Sequence, residues 1–412
     1  MSKRYTEYVD SGVPWLGDVP AGWTTRPLWS MFERIKDVGH PDEQMLSVFR
    51  DYGVVAKDSR DNINKTAENR NIYQLVHPGW LVTNRMKAWQ GSVGISGLRG
   101  IVSGHYICFA PRHDADSRYL NWLFRSSTYA AGYALQSRGV RIGQAEIDND
   151  LYRVMPVLLP PIEEQRAIAD YLDRETARID TLVEEQQRLI EMLRERRAAV
   201  IAGEFDAPTT GRLRYAIRFA QTGPFGTQLS AEEYVEDGVP VVNPTHIKHG
   251  VITPDAMISV TPEKAAELRR HQLEVGDIVL GRKGEVDKSA LVSEAEAGYI
   301  CGSDSMLLRP SEDVDPSYLW WFFQSPESHS QLEQWSVGST VAGLNQTTIS
   351  RIVLPLPSVV EQRRIAQHLD EQIAKTDALI AEAQRLIELA RERRAALITA
   401  AVTGQIDVRE AA

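Results

Sequence analysis

The sequence predicts an α+β chain in which two globular domains alternate with two long helices. The helices are expected to pair as an antiparallel coiled coil, making the whole an internal pseudo-twofold repeat. Three observations carry this. Residues 164–201 recur at 361–398 with about 23 of 38 positions identical, a period of 197 residues and far longer than a solenoid repeat. Neither copy contains Gly or Pro, and Ala, Leu, Glu, Arg and Gln dominate both, all good helix formers. The stretches before the two helices also match, since Tyr119-Leu120, Trp122 and Phe124 reappear as Tyr318-Leu319, Trp321 and Phe323.

The segments follow in order as 1–157, 158–207, 208–354 and 355–412: globule, helix, globule, helix. Tyr8 to Trp23 is rich in Pro, Gly and Trp and has neither a helix nor a strand period; its tryptophans are expected to pack on a neighbour. In the first globule Met45–Phe49, Gly79–Thr83 and His105–Phe109 read as strands, and 117–132 as a helix with Tyr119, Leu120, Leu123 and Phe124 inward. A glycine-bearing loop, Ser137 to Gln144, is followed by a strand-like Val154–Leu159. Pro160-Pro161 then opens the first long helix, where proline helps helix initiation. The second globule offers strands at Val239–Val242, Asp277–Leu280 and Met306–Leu308. Its helix is Pro316–Ser325, its glycine loop Val337–Gln346, and Val353–Pro357 leads into the second long helix.

With Ile168 at position a, the expected seam of the first helix runs Ile168, Leu172, Glu175, Ile179, Leu182, Gln186, Leu189, Leu193, Arg196, Val200. Polar interruptions in the second copy, Gln372 and Arg393, match Glu175 and Arg196. About 40 residues at roughly 1.5 Å each make a rod of about 60 Å. A generic dimerising coiled coil is the plainer reading of the same periodicity.

Composition is that of an ordinary globular protein, 43% hydrophobic, with no apolar run of membrane-spanning length. The N-terminus lacks an apolar signal core, so a cytoplasmic location is expected. Two cysteines, Cys108 and Cys301, make neither a disulfide framework nor a metal set. The net charge of −10 argues against nucleic acid in bulk, but it is uneven. Residues 1–157 carry 19 Lys/Arg against 16 Asp/Glu, whereas 208–354 carry 12 against 19. A DNA-binding surface must therefore rest on local patches. Two related but diverged globules on paired rods suit a reader of two different stretches of duplex.

The junctions Leu159-Pro160-Pro161-Ile162-Glu163-Glu164-Gln165-Arg166-Ala167-Ile168-Ala169 and Leu356-Pro357-Ser358-Val359-Val360-Glu361-Gln362-Arg363-Arg364-Ile365-Ala366 carry a resemblance. So do Gly12-Val13-Pro14-Trp15-Leu16-Gly17, Pro20-Ala21-Gly22-Trp23, Gly223-Pro224-Phe225-Gly226, Glu233-Tyr234-Val235, Gly238-Val239-Pro240-Val241 and the closing Thr403-Gly404-Gln405-Ile406-Asp407. In this order and at full length the chain resembles the DNA-specificity (S, HsdS) subunits of type I restriction–modification systems. That resemblance implies two target-recognition domains, each reading one half of a bipartite double-stranded DNA site, with the paired helices setting the spacer. It implies two methyltransferase (M) subunits and restriction (R) subunits as partners in phage defence. It places S-adenosylmethionine in the M subunits and ATP with Mg in the R subunits, and leaves this chain non-catalytic, binding no cofactor.

The residues agree with that negative. No Walker-type phosphate loop is present. Asn243-Pro244-Thr245-His246 only partly echoes an adenine-methyltransferase motif, and Pro254-Asp255 with Glu263-Lys264 lacks nuclease spacing. His246 and His249, three apart, have no visible further ligand for zinc.

Base readout favours Arg, Lys, Asn and Gln on loops, and phosphate contacts add Ser and Thr. On that basis the DNA-binding candidates in the first globule are Asn84, Arg85, Lys87, Gln90, Arg138, Arg141 and Gln144. In the second they are Arg282, Lys283, Lys288, Ser339, Thr340, Asn345 and Gln346. Trp89 reads as core rather than as a stacking residue. The competing reading is a non-catalytic coiled-coil adaptor whose globules bind protein, which the acidic second globule motivates. Steep salt dependence marks DNA binding and separates the two.

Overall fold

The computed structural model describes residues 4–59, 69–139, 145–206, 211–282, 285, 288–337 and 344–409. It divides into two compact units, Met1–Gln186 with Arg385–Ala412, and Gln187–Gln384. Each unit thus holds one globule together with part of each long helix, Ile162–Phe205 and Val359–Val402.

The two globules share one build. The first has a four-stranded antiparallel sheet in the order 32–35, 106–111, 81–84, 93–95. The second repeats it as 217–222, 305–310, 278–281, 289–291. A helix lies against each sheet, Ser117–Arg125 in one and Pro316–Phe323 in the other, each capped by an aspartate, Asp116 accepting the Arg118 and Tyr119 N–H groups and Asp315 the Tyr318 N–H. Tyr119, Leu120 and Phe124, and likewise Tyr318, Leu319 and Phe323, are fully buried between sheet and rod. Strand 156–159 pairs with 24–27, and 353–354 with 211–212, so the chain enters each rod helix from a paired strand.

The junction signature becomes intelligible here. Gln165 accepts the Asp116 N–H at 2.9 Å and donates to the Pro160 carbonyl at 2.8 Å. Gln362 does the same with Asp315 and Pro357, both at 2.8 Å. Tyr119 donates to the Leu158 carbonyl and Tyr318 to the Pro355 carbonyl. The indole N–H of Trp122 donates to Asp173 and that of Trp321 to Asp370, each at 2.8 Å. The recurring Glu-Gln-Arg and Leu-Asp therefore fasten each rod helix to its own globule. Side chains with fixed partners on both sides tolerate little drift, which accounts for their near-identity in the two copies.

The long helices run antiparallel within each unit. In the first, Ile168, Ala169 and Leu172 share a core with Ile398, Ala401 and Val402, and Asp180 pairs with Arg394 at 2.9 Å. In the second, Ile201 and Phe205 share a core with Ile365, Leu369 and Ile373, and Arg197 pairs with Asp377 at 3.5 Å. The shift of 197 carries Asp180 onto Asp377 and Arg197 onto Arg394, so each unit makes the same ion pair with the copies exchanged.

The seam itself differs from the heptad reading. After Leu172 the buried residue is Thr176, not Glu175, and after Leu369 it is Ile373. A four-residue step keeps an unstrained helix of 3.6 residues per turn aligned with its partner, and it shifts single seam positions while Ile179, Leu193, Thr376, Ala383 and Ala390 are buried where the heptad reading has them. Ile190 and Ile387 consequently face inward, while Leu189, Leu379 and Leu386 stay exposed. Arg196 and Arg393 are exposed too, and their neighbours Arg197 and Arg394 make the ion pairs.

Two further expectations are corrected. The 117–132 helix is two helices, Ser117–Arg125 and Ser127–Leu135, broken at Ser126. Ser126 has extended backbone, and its hydroxyl accepts the Tyr129 N–H, a serine capping the second helix instead of continuing the first. The 8–23 segment is not irregular throughout, since Tyr8–Asp10 pairs with Asp18–Pro20. Its tryptophans do pack inward: Trp23 is buried, and Trp15 meets Tyr129 edge-on at 5.1 Å over Gly132. The closing segment covers the same place, with Tyr8 donating to the Gly404 carbonyl, while Tyr5 donates to Glu164 of the first long helix.

Candidate nucleic-acid interface

Matching ends of the two sheets gather most of the described candidates. In the first unit Arg85 follows the 81–84 strand; its N–H donates to the His105 carbonyl and its carbonyl accepts the Ile147 N–H. In the second, Arg282 follows the 278–281 strand, donating to Asp304 and accepting from Leu344. The two arginines are structural counterparts. Their side chains part company.

The Arg85 guanidinium pairs with Glu146, on the two-residue strand 146–147 that crosses Ser137-Arg138. Arg138 pairs with Asp148 at 3.0 Å and is three-quarters exposed. Asp148 also caps the 149–153 helix; the Leu151 N–H above all, with the Asp150 N–H and Arg138, holds its carboxyl below the usual range. Asn84 accepts the Met86 N–H, which bends the chain into the 88–90 turn. Lys87 and Gln90 are exposed on that turn. Trp89 is half-buried with its indole N–H on the Met86 carbonyl. Gln90, Trp89, Arg50 and Ser127 line an open groove of about 520 Å³. Arg50 was absent from the sequence-based candidates because only the 46–56 hairpin brings it there.

In the second unit Arg282 is committed to the backbone: Nε donates to the Leu344 carbonyl at 2.9 Å and Nη1 to the Ser303 carbonyl at 3.3 Å. It ties two loops together. Lys288 pairs with Glu285 at 2.8 Å. Gly281 is required where the first unit has Asn84, because a Cβ there would overlap the Glu285 carbonyl. Asn345 spends its side-chain oxygen capping the 346–349 helix, accepting from Thr347 and Thr348. Gln346 is exposed and donates to the Ala220 carbonyl at 2.7 Å. Arg141, Gln144, Lys283, Ser339 and Thr340 lie outside the described residues.

Among the described residues no group of three or more His, Cys, Asp or Glu could hold a metal ion, and no helix is long and apolar enough to cross a membrane. Cys108 and Cys301 are free and buried; burial pushes the Cys108 thiol up to about 12. His271, behind the 217–222 strand, is also buried, with Nδ1 unpartnered. Burial depresses its pKa foremost and Arg270 adds to this, while a backbone hydrogen bond at Thr222 opposes them. A histidine with a folded pKa below its unfolded value of about 6.5 takes up its proton more readily when unfolded. Stability should therefore fall as pH drops below about 6.5. Melting followed at pH 7.5 and 5.5 should show a larger acid-induced loss for the natural chain than for His271→Gln; equal losses would exclude this histidine as the cause.

Comparison with known proteins places these features. The family model described as "Type I restriction modification DNA specificity domain" matches residues 225–390. The type I restriction enzyme StySPI specificity subunit of Salmonella potsdam is 28% identical over 178 residues, which are 42% of this chain and 37% of that subunit. The EcoKI specificity subunit of Escherichia coli K12 is 21% identical over 95% of this chain and 90% of its own length. A chain from a solved structure on complex assembly and conformational transition of the type I R-M system superimposes with a TM-score of 0.73. It has 15% identity, and the match covers 93% of this chain and 98% of that one.

Proposed function

Since this chain belongs with the specificity subunits of type I restriction–modification systems, we propose that it addresses such a complex to a bipartite DNA site. The observation that carries the reading is the repetition of one build with different chemistry at equivalent sheet ends. Arg85 and Arg282 occupy the same position, yet one makes a surface ion pair and the other braces two loops. Equal scaffolds with unequal loops are what two half-sites of different sequence require. In the first unit Lys87, Gln90 and Arg138 are the exposed groups we assign to DNA, with Asn84 and Arg85 shaping the loop. In the second unit Gln346 and Lys288 take that role, with Arg282 and Asn345 holding the loops that present them. Arg141, Gln144, Lys283, Ser339 and Thr340 are proposed as DNA contacts from residue type alone.

The chain acts as a non-catalytic subunit. S-adenosylmethionine belongs to methyltransferase subunits, and ATP with Mg to restriction subunits, so methylation and cleavage lie with these partners. The methyltransferase subunits dock on the rods, where Leu189 and Met192 of one helix and their repeats Leu386 and Leu389 of the other are exposed. An adaptor that binds only proteins is disfavoured by the match to a DNA-specificity domain.

The test is to map N6-methyladenine in a methylation-free host expressing this chain with the methyltransferase subunit encoded beside it. The expected result is a split, two-part motif that disappears when this chain is omitted. The absence of any motif, despite co-purifying subunits, would overturn the proposal.

A further inference from the structure

The sheet end of the second unit carries an apolar projection. Thr222, Gly281 and Ser305 close the same edge, since Thr222 lies opposite Met306 and Gly281 opposite Ser305. From this edge emerges Gly223-Pro224-Phe225-Gly226. Gly223 is buried, donates to the Ser305 carbonyl at 3.1 Å, and sits so close to Gly302 that a Cβ would overlap its carbonyl. Pro224 and Leu229 are buried on either side of the turn. Gly226 has φ +64, a left-handed conformation that reverses the chain. Between these anchors the Phe225 ring is 60% exposed. Single exposed apolar residues such as Tyr215 and Val275 are ordinary on this surface; Phe225 differs in that an anchored turn holds it at the sheet end from which Arg282 also emerges.

The electrostatics of this unit narrow what that is. Residues 208–354 are net acidic, and the Arg282 side chain at this edge is already held by the Leu344 and Ser303 carbonyls. Counterion release supplies less of its affinity than in a basic globule. The corresponding turn of the first unit, Lys36-Asp37-Val38-Gly39-His40, has no Phe, Tyr or Trp, its exposed apolar residue being Val38, and that globule carries the positive charge.

We propose that Phe225 is a wedge that enters a base step of the half-site read by the second unit, unstacking it. Apolar side chains on projecting turns kink duplexes in this way, and flexible pyrimidine–purine steps accept it most readily. The inference rests on the DNA reading proposed above and adds to it a contact that does not depend on charge.

The experiment uses the full complex with its methyltransferase subunits and a duplex bearing the mapped motif. 2-Aminopurine is placed in turn at each adenine of the half-site read by the second unit except the one that is methylated, which the methyltransferase unstacks by flipping it. Natural complex should brighten one position, and Phe225→Ala should abolish that signal while weakening binding about 10- to 100-fold. The salt slope should stay the same, because no phosphate contact is lost. Phe225→Trp should retain the signal, and the melting temperature of Phe225→Ala should not fall, the ring being exposed. Natural complex that fails to bind the duplex would overturn the DNA reading together with the wedge. Binding without any brightening, and unchanged in Phe225→Ala, would overturn the wedge alone. Loss of methyltransferase assembly in Phe225→Ala would overturn it too, reassigning the ring to a protein contact.

Discussion

Gln362→Leu should destabilise the second unit by about 2–5 kcal/mol. Gln362 is 2% exposed and satisfies two buried backbone groups, the Asp315 N–H and the Pro357 carbonyl. Leucine fills similar space but leaves both unpaired, at roughly 1–3 kcal/mol each. The loss falls where globule meets rod, since Asp315 caps the 316–323 helix and Pro357 precedes the rod. Gln165→Leu should do the same in the first unit through Asp116 and Pro160. The two glutamines share no partner, so their effects should add to within about 0.5 kcal/mol. Denaturant unfolding of the two single variants and the double variant measures this. A cost below about 0.5 kcal/mol for either single change would mean that the glutamine is not the fastener described.

Leu386→Glu with Leu389→Glu should remove one methyltransferase copy from the complex, and Leu189→Glu with Met192→Glu the other. Their exposures, 39% and 52% in one pair and 37% and 58% in the other, leave the free helix able to solvate the new carboxylates, so folding should be spared. In a covered interface the same carboxylates would be buried without partners, costing about 3–5 kcal/mol, or more than 100-fold in affinity. Sizing of the co-expressed complex should show one methyltransferase copy for either pair and none for all four substitutions. Undiminished assembly of the fourfold variant would place the docking surface elsewhere.

Much of the architecture was legible in the chain because duplication marks it without any structure. The 197-residue shift identified the two rods, and the backbone bonds of Arg85 and Arg282 to His105 and Asp304 show the same repeat within the globules. Tyr119, Leu120, Leu123 and Phe124 were recognisable as core by helical spacing, since periodic burial leaves a periodic trace. The seam was less legible. Heptad counting places Glu175 and Leu189 inside, whereas packing selects Thr176 and Ile190, because the step between turns is chosen by the partner helix.

The candidate surface divides in the same way. Residue type alone could nominate Arg282, Asn345 and Arg138, but it says nothing of what each side chain already holds. Tertiary structure decided that Arg282 braces the Leu344 and Ser303 carbonyls and that Arg50 joins Gln90 across a hairpin. It also decided that Phe225, one apolar residue among many in the sequence, stands in water while Pro224 and Leu229 beside it are buried. Local sequence determines helices, caps and the repeat because those depend on neighbours in the chain. Which polar groups are spent and which rings stay exposed depends on partners from 20 to more than 100 residues away, and only the folded chain brings those together.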